Sequence, residues 1–464
     1  MGVPFRMARN DRSARLLSAV GLLLGLAATH SRDDTHSVAD DGVIEVPGEA
    51  DTIQEAVDAA SPGDIVLISP GVYVEEVDVT TDDVTIRGLD RAGVVLDGEF
   101  ELTNGLRILG AQGVVVENLT VQNYMVNGIF WTGVDGFRGS YLTSLRNQEY
   151  GLYAYDSTHG QLDHSYAAGS GDGGFYVGQC YPCFVVLDDV LAEHNGIGYA
   201  GADSGGDLLI VNSTFRSNRV GMLMGSHTYE LCYPQRETTV VGNLVYSNNE
   251  SDTAAVDTAL LAMGNGIVSA GGIRNTIERN RVWDHNRTGI GIVLWLEDTP
   301  TDVMPGPGDW DRPCAETRDQ MPATSLPAVN VWEPFENTVV GNVLDDNRVA
   351  DIALASPTAE LPAFGNCFAD NTFVISAPAE LEALAPCDGE PVDGDWADGA
   401  LDVVSWLAEV DSMPPPVPSE DVELPELPDL PDMRDPATAV ADPARELPAP
   451  VDVDAILVPD TPGE

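Results

Sequence analysis

The sequence contains no lysine. All 22 of its basic residues are arginine, against 75 acidic residues, which leaves a formal net charge of −53. Such acidity argues against nucleic acid and anionic membranes as partners, because both would be repelled. It suits solubility at high ionic strength, where self-repulsion is screened, although an acidic bias shared by a whole proteome would leave the same mark. Long apolar runs are missing too. The stretch Leu16 to Ala28 is too short for a comfortable membrane span. It follows Arg6, Arg9, Arg12 and Arg15 and precedes polar Ser31 to Asp34, the layout of a secretory leader. Residues 1–30 are therefore read as a signal peptide, and the protein as secreted, cell-surface or periplasmic. No cysteine follows the leader closely, so a lipoprotein anchor has no acceptor.

Cysteine is sparse but even in number: Cys180, Cys183, Cys232, Cys314, Cys367 and Cys387. In an exported chain this favours disulfides. A lone Cys180-Tyr-Pro-Cys183 has no second ligand pair nearby to make a zinc site, so a structural bridge is the better reading. Cys232 and Cys314 are expected to pair, with Cys180–Cys183 and Cys367–Cys387 as local bridges.

What is present is a period. Gly105, Gly128, Gly151, Gly174, Gly198 and Gly221 each precede an apolar residue and recur every 23 residues, once 24; Gly266 and Gly289 restore the interval. Asn or Asp follows most of them at a fixed distance, as in Asn212 to Asn218, Asn243 to Asn248, Asn280 to Asn286 and Asn342 to Asn347. Asparagine tolerates left-handed backbone and hydrogen-bonds tight corners. Between corners the segments are short and alternating, too brief for helices. Such a period marks a solenoid whose coils bury their apolar faces only against neighbours.

On these glycines, corners and strands, residues 43 to 376 resemble the right-handed parallel β-helix, pectin-lyase-like superfamily. The resemblance implies an all-β, single-stranded β-solenoid, and it specifies fold far more than function. The domain is expected over 43–411, with a helix begun by Thr52-Ile-Gln-Glu55 covering its first coil. Leu401, Val404, Leu407 and Ala408 predict a last amphipathic helix at the other end. Residues 412–464, rich in Pro, Asp and Glu, are expected to form a disordered, extended tail.

Three insertions of about eight, fourteen and thirty-nine residues break the period after Gly221, Asn243 and Gly289. The first and third leave the same side of the stack, where insertions often build a binding face. Next to that side, the residue two places after each glycine should point outward, giving a ladder of Phe130, Tyr153 and Tyr176 at about 4.8 Å spacing. Aromatic faces suit the apolar faces of sugars. An insertion folded over the ladder, or a register shifted by one, would bury them instead. Tyr155, Gln179, Asp203 and His227 flank it as polar substrate-binding candidates.

Tyr153, Asp156 and His159 resemble the tyrosine–aspartate–histidine motif of β-helix alginate epimerases. The resemblance implies Tyr153 and His159 as acid and base and Asp156 as their positioning partner. An inert polar surface would show similar residues, and that alternative stays open. A pectate-lyase-like lysine base is ruled out. A further resemblance is to periplasmic β-helix accessory proteins linked to copper enzymes, but seven histidines give no copper cluster.

The sequence thus reads as a monomeric, secreted β-helix contacting an extracellular or cell-envelope polysaccharide, as a non-catalytic binding or structural module. The alternatives are a polysaccharide lyase or C5-epimerase-like enzyme and a periplasmic accessory protein. No cofactor is expected, with calcium between acidic loops as the one exception considered.

Overall fold

Each coil gives one strand to each of three sheets, and every coil-to-coil pairing in those sheets is parallel. The computed structural model describes residues 42–318, 323, 325–356, 361–440 and 446–462; the leader expected over 1–30 lies outside them. Among the described residues the sheets hold twelve, eleven and ten strands, stacked coil upon coil. This is a right-handed parallel β-helix. A two-stranded antiparallel hairpin, Trp295–Asp298 with Val329–Trp332, stands apart in the third insertion.

The glycine period has a steric cause. The glycines begin the strands of the eleven-strand sheet, where successive coils approach closely. A Cβ on Gly151 would lie 2.5 Å from the carbonyl oxygen of Gly174, and one on Gly266 2.5 Å from that of Gly289. Only glycine fits. Directly after them, Ile129, Leu152, Phe175, Tyr199, Met222, Ile267 and Ile290 stand in register and are fully buried. Their neighbours two places on, Trp131, Ala154 and Val177, are buried as well. The inward register read from the sequence is therefore the one adopted.

The corners are held by side-chain ladders. Asn243 donates to Asn280, Asn280 to Asn342 and Asn342 to Asn371, each at 2.9–3.0 Å. A second ladder runs Asn195, Asn218, Asn248, then His285, which contacts Asn347. Each asparagine oxygen also accepts a backbone N–H of the preceding coil, as Asn280 does from Asn243. Buried polar groups inside the stack are thereby satisfied coil by coil. His285 takes an asparagine's place because burial lowers its pKa to about 4, leaving a neutral ring.

Among the described residues five short α-helices accompany the coils. The first, α1 (Ile53–Ala59), is capped by Thr52 and buries Ile53, Ala56 and Val57 over the first coil. In the second insertion lies α2 (Asp257–Leu261), and in the third α3 (Cys314–Arg318). The stack's far end is closed by α4 (Leu381–Leu384), whose Leu381 and Leu384 are buried. The amphipathic helix expected there, α5 (Val403–Glu409), lies instead on the flank of the eleven-strand sheet. Arg287 holds it, with its guanidinium 4.4 Å from the Trp406 ring and 3.1 Å from Glu409. The pairings Cys180–Cys183, Cys232–Cys314 and Cys367–Cys387 are all formed.

The segment after 412 corrects the expectation of a free tail. Its carbonyls accept hydrogen bonds from coil arginines. Pro414 and Pro415 receive Arg219, Pro431 receives Arg91, and Pro436 and Ala439 receive Arg87. The chain then returns the other way. Val451, Val453 and Ile456 cover outward Val186, Val211 and Val241, and Arg279 and Arg281 reach Val453 and Pro459. A proline-rich, acidic segment cannot build a core of its own, but its bare carbonyls suit guanidinium donors.

Candidate functional site

The outward face of the eleven-strand sheet carries the expected aromatic ladder in the expected register: Phe130 pairs with Tyr153, and Tyr153 with Tyr176. The rings of Phe130 and Tyr153 stack at 4.8 Å, and those of Tyr153 and Tyr176 lie 4.7 Å apart. Tyr150 stacks on Tyr153 at 4.3 Å. The ladder is not exposed along its length, however. Tyr176 is 4% exposed, because the first insertion folds over it and α2 and α5 pack beside it.

The covering loop brings polar groups down onto the tyrosines. Tyr176 donates to Glu230 of the loop. Tyr155 donates to Gln179 of the next coil, whose oxygen also accepts the Leu231 N–H, and this second bond fixes loop against sheet. Tyr150 donates to Asp172 at 2.7 Å. His227 stacks on Tyr229 and offers its backbone N–H to Asp203. Behind the loop, Glu297 of the third insertion accepts from Thr228, Trp332 and Asn330. The Cys232–Cys314 bridge joins the two insertions covalently.

Between loop and sheet remains a cavity of about 100 Å³, walled by Tyr150, Tyr176, Leu223, Asp172, His227 and Glu230 among others. Its polar groups are unusual in charge state. Burial pushes the Asp172 carboxyl up to about 7, against the hydrogen bond from Tyr150. Burial likewise raises Glu230 to about 8, only partly offset by His227. Asp203 is raised by burial as well, and His227 falls to about 4 for the same reason. His227 Nδ1 and Asp203 Oδ2 are 2.7 Å apart, yet these shifts make them a neutral imidazole beside a carboxylic acid rather than an ion pair. At that distance the two atoms serve each other, the carboxylic acid facing the imidazole nitrogen, whereas Glu230 Oε2 makes no hydrogen bond among the described residues. Buried polar atoms are rarely left so without a partner to come.

Of the residues singled out from the sequence, Tyr155, Tyr176, Gln179, Asp203 and His227 are gathered under the loop, with Tyr153 in the adjoining stack and Phe130 at its edge. The proposed Tyr153–Asp156–His159 constellation does not assemble. His159 turns on the neighbouring sheet to Asp135, at 2.6 Å, and stacks on Phe184. Asp156 and His159 both have left-handed backbone. By register they occupy the corner positions of Gly133 and Gly136 in the coil before, which are left-handed too. They turn the chain.

Sequence reasoning missed Tyr150, Glu230 and Glu297. Tyr150 was detectable, since it stands where the two preceding coils place Asn104 and Asn127. Glu230 and Glu297 lie where insertions carry the chain away from its period. Among the described residues no group of three or more His, Cys, Asp or Glu side chains is arranged to hold a metal ion, and no helix is long and apolar enough to cross a membrane.

Residues 104–299, which contain this cavity, match the family model described as the right handed beta helix region. No curated protein matches the chain. Solved structures are similar to the chain at low identity. The A-module of the mannuronan C-5 epimerase AlgE4 from Azotobacter vinelandii is 14% identical, with a TM-score of 0.47, covering 74% of this chain and 94% of that one. An alginate lyase from Paenibacillus sp. str. FPU-7 is 12% identical, with a TM-score of 0.40, covering 72% and 98%. Pectate lyase Pel9A is 13% identical, with a TM-score of 0.43, covering 79% and 88%.

Proposed function

Taking the chain as a right-handed parallel β-helix with a covered polar cavity, we propose that it binds a neutral sugar unit of an extracellular or cell-envelope polysaccharide. The sugar enters between Tyr150, Tyr176, His227 and Glu230. The observation that carries this reading is the meeting of Asp172, His227 and Glu230, the last with an unpartnered buried oxygen, beside the aromatic wall of Tyr150 and Tyr176. Hydroxyl groups both donate and accept, so they suit a neutral imidazole and protonated carboxyls. Tyrosine rings suit the apolar face of a pyranose. A uronate is disfavoured, since no arginine lines the cavity and the chain carries a net charge of −53. Export, expected from the leader, places the protein where such polysaccharides occur.

Calorimetric titration with neutral and uronic oligosaccharides tests the proposal. Neutral ligands should bind, and Tyr176→Ala should weaken them about tenfold, one ring contact being worth on the order of 1.4 kcal/mol. Binding of uronic oligosaccharides alone, or of none, would overturn the reading.

One observation favours a second reading. A protonated Glu230 and a neutral His227 in one cavity are a general acid and a general base at neutral pH. On a uronosyl unit, a lyase would use His227 to take the proton at C5 and Glu230 to protonate the departing glycosidic oxygen as the C4–O4 bond breaks, and an epimerase would use Glu230 to return a proton to C5 from the opposite face. In that case Glu230→Gln would keep binding and abolish turnover, read as product formation on the same panel.

A further inference from the structure

Beside the polar cavity, along the same sheet face, lies a second cavity of about 80 Å³. Its walls are almost wholly apolar: Val268 and Val293 from the sheet, Leu261 from α2, and Val403, Val404 and Trp406 from α5. The two cavities share Leu223, Ala270 and Trp295 as a common wall, and α2 borders both, through Thr258 on one side and Leu261 on the other. Coils about 4.8 Å apart place them within one short ligand's reach. An apolar pocket of this kind offers water few partners and accepts an apolar guest. Its volume holds a group of roughly half a dozen non-hydrogen atoms.

We infer that the ligand is a saccharide bearing a short aliphatic substituent, such as an acyl ester or alkyl aglycone. Its sugar sits against Tyr176 and Glu230, and its chain lies between Val268 and Trp406. The inference rests on the saccharide reading above and adds the substituent to it. Two features of the second cavity point to a chain rather than a second sugar. Apart from the indole N–H groups of Trp295 and Trp406, the second cavity has one polar side chain in its lining, Asn265, and that group is already committed: its amide donates to Ala262, and its oxygen accepts from Thr288. A bare pyranose there would leave its hydroxyls unpaired, a cost a methylene chain avoids. The apolar flank is also held in place from outside, since Arg287 fastens α5 through both Trp406 and Glu409.

The test compares methyl and hexyl glycosides of the same neutral sugars, titrated into the full chain. The hexyl compound should bind at least tenfold more tightly than its methyl partner. Val404→Trp, made on an exposed helix position that lines the cavity, should reduce hexyl affinity to the methyl level while leaving methyl binding unchanged. Val268→Phe fills the same space from the sheet and serves if the first variant does not fold. Equal methyl and hexyl affinities in the native chain would overturn the inference and leave the saccharide reading standing. A hexyl preference that survives both filled cavities would overturn it as well. No binding of either glycoside would remove the saccharide reading and this inference together.

Discussion

At the scale of single residues, the molecule is governed by what burial does to charge. Glu230 ionises at about 8 in the folded chain against an ordinary 4.5. The folded state therefore keeps a proton that the unfolded chain releases, and stability falls as pH rises from 4.5 to about 8. Asp172, raised to about 7, acts in the same direction. His227, lowered to about 4 from 6.5, acts in the opposite one: its neutral burial favours folding above 6.5 and is lost as pH falls to 4. Glu230→Gln should thus flatten the alkaline side of the stability profile and leave the acid side intact, as measured by urea unfolding across this range. Parallel profiles for native and variant chains would contradict the assignment. Asparagine ladders predict a different loss. Asn280→Ala orphans the backbone N–H of Asn243 and takes a donor from the carbonyl of Val240 and from the oxygen of Asn342, which keeps the backbone N–H of residue 280, and should cost roughly 3 kcal/mol in the same measurement.

At the scale of elements, the covering loop is the part that makes the site. It is held to the third insertion by Glu297 and by Cys232–Cys314. Replacing both cysteines with serine should weaken saccharide binding about tenfold, because the loop must then be ordered by the ligand, while the coils keep their melting temperature within a few degrees. A large fall in melting temperature with unchanged affinity would show the bridge serving the stack instead. This division also explains what the sequence made legible. The coils could be read because their constraints repeat: a carbonyl 2.5 Å from a missing Cβ recurs at Gly105, Gly151, Gly221 and Gly266. The inward register followed from that. Half of the site was visible as a row of aromatics on the coils, Phe130, Tyr153 and Tyr176. The covering half was not, since Glu230 and Glu297 stand in insertions where no period constrains them. Asp156 and His159 looked chemical only because a left-handed corner, usually given to glycine, here carries polar side chains.

At the scale of the whole molecule, two opposing fields are set by composition. A net charge of −53 without lysine makes the chain repel itself. Its melting temperature should therefore rise between low and molar salt, measured with chelator present; no change would count against self-repulsion as a limit on stability. The arginines run the other way, and those at 87, 91, 219, 279 and 281 all spend donors on the carbonyls of the C-terminal segment. Composition made that segment look unstructured because its partners are as far as 352 residues away in sequence.

That strap changes how the solenoid should come apart. A stack whose coils touch only their neighbours loses cooperativity with length and frays from its ends. Here one segment runs from Arg219 out to Arg87 and back to Arg281, so a coil at one end cannot melt without loosening contacts many coils away. Ending the chain at residue 412 should broaden a single thermal transition into several, with calorimetric enthalpy exceeding the van't Hoff value. It also gives folding a direction. In a chain that emerges N-terminus first, the strap follows every coil it binds, so those coils are locked only after Pro414 to Pro459 have been delivered.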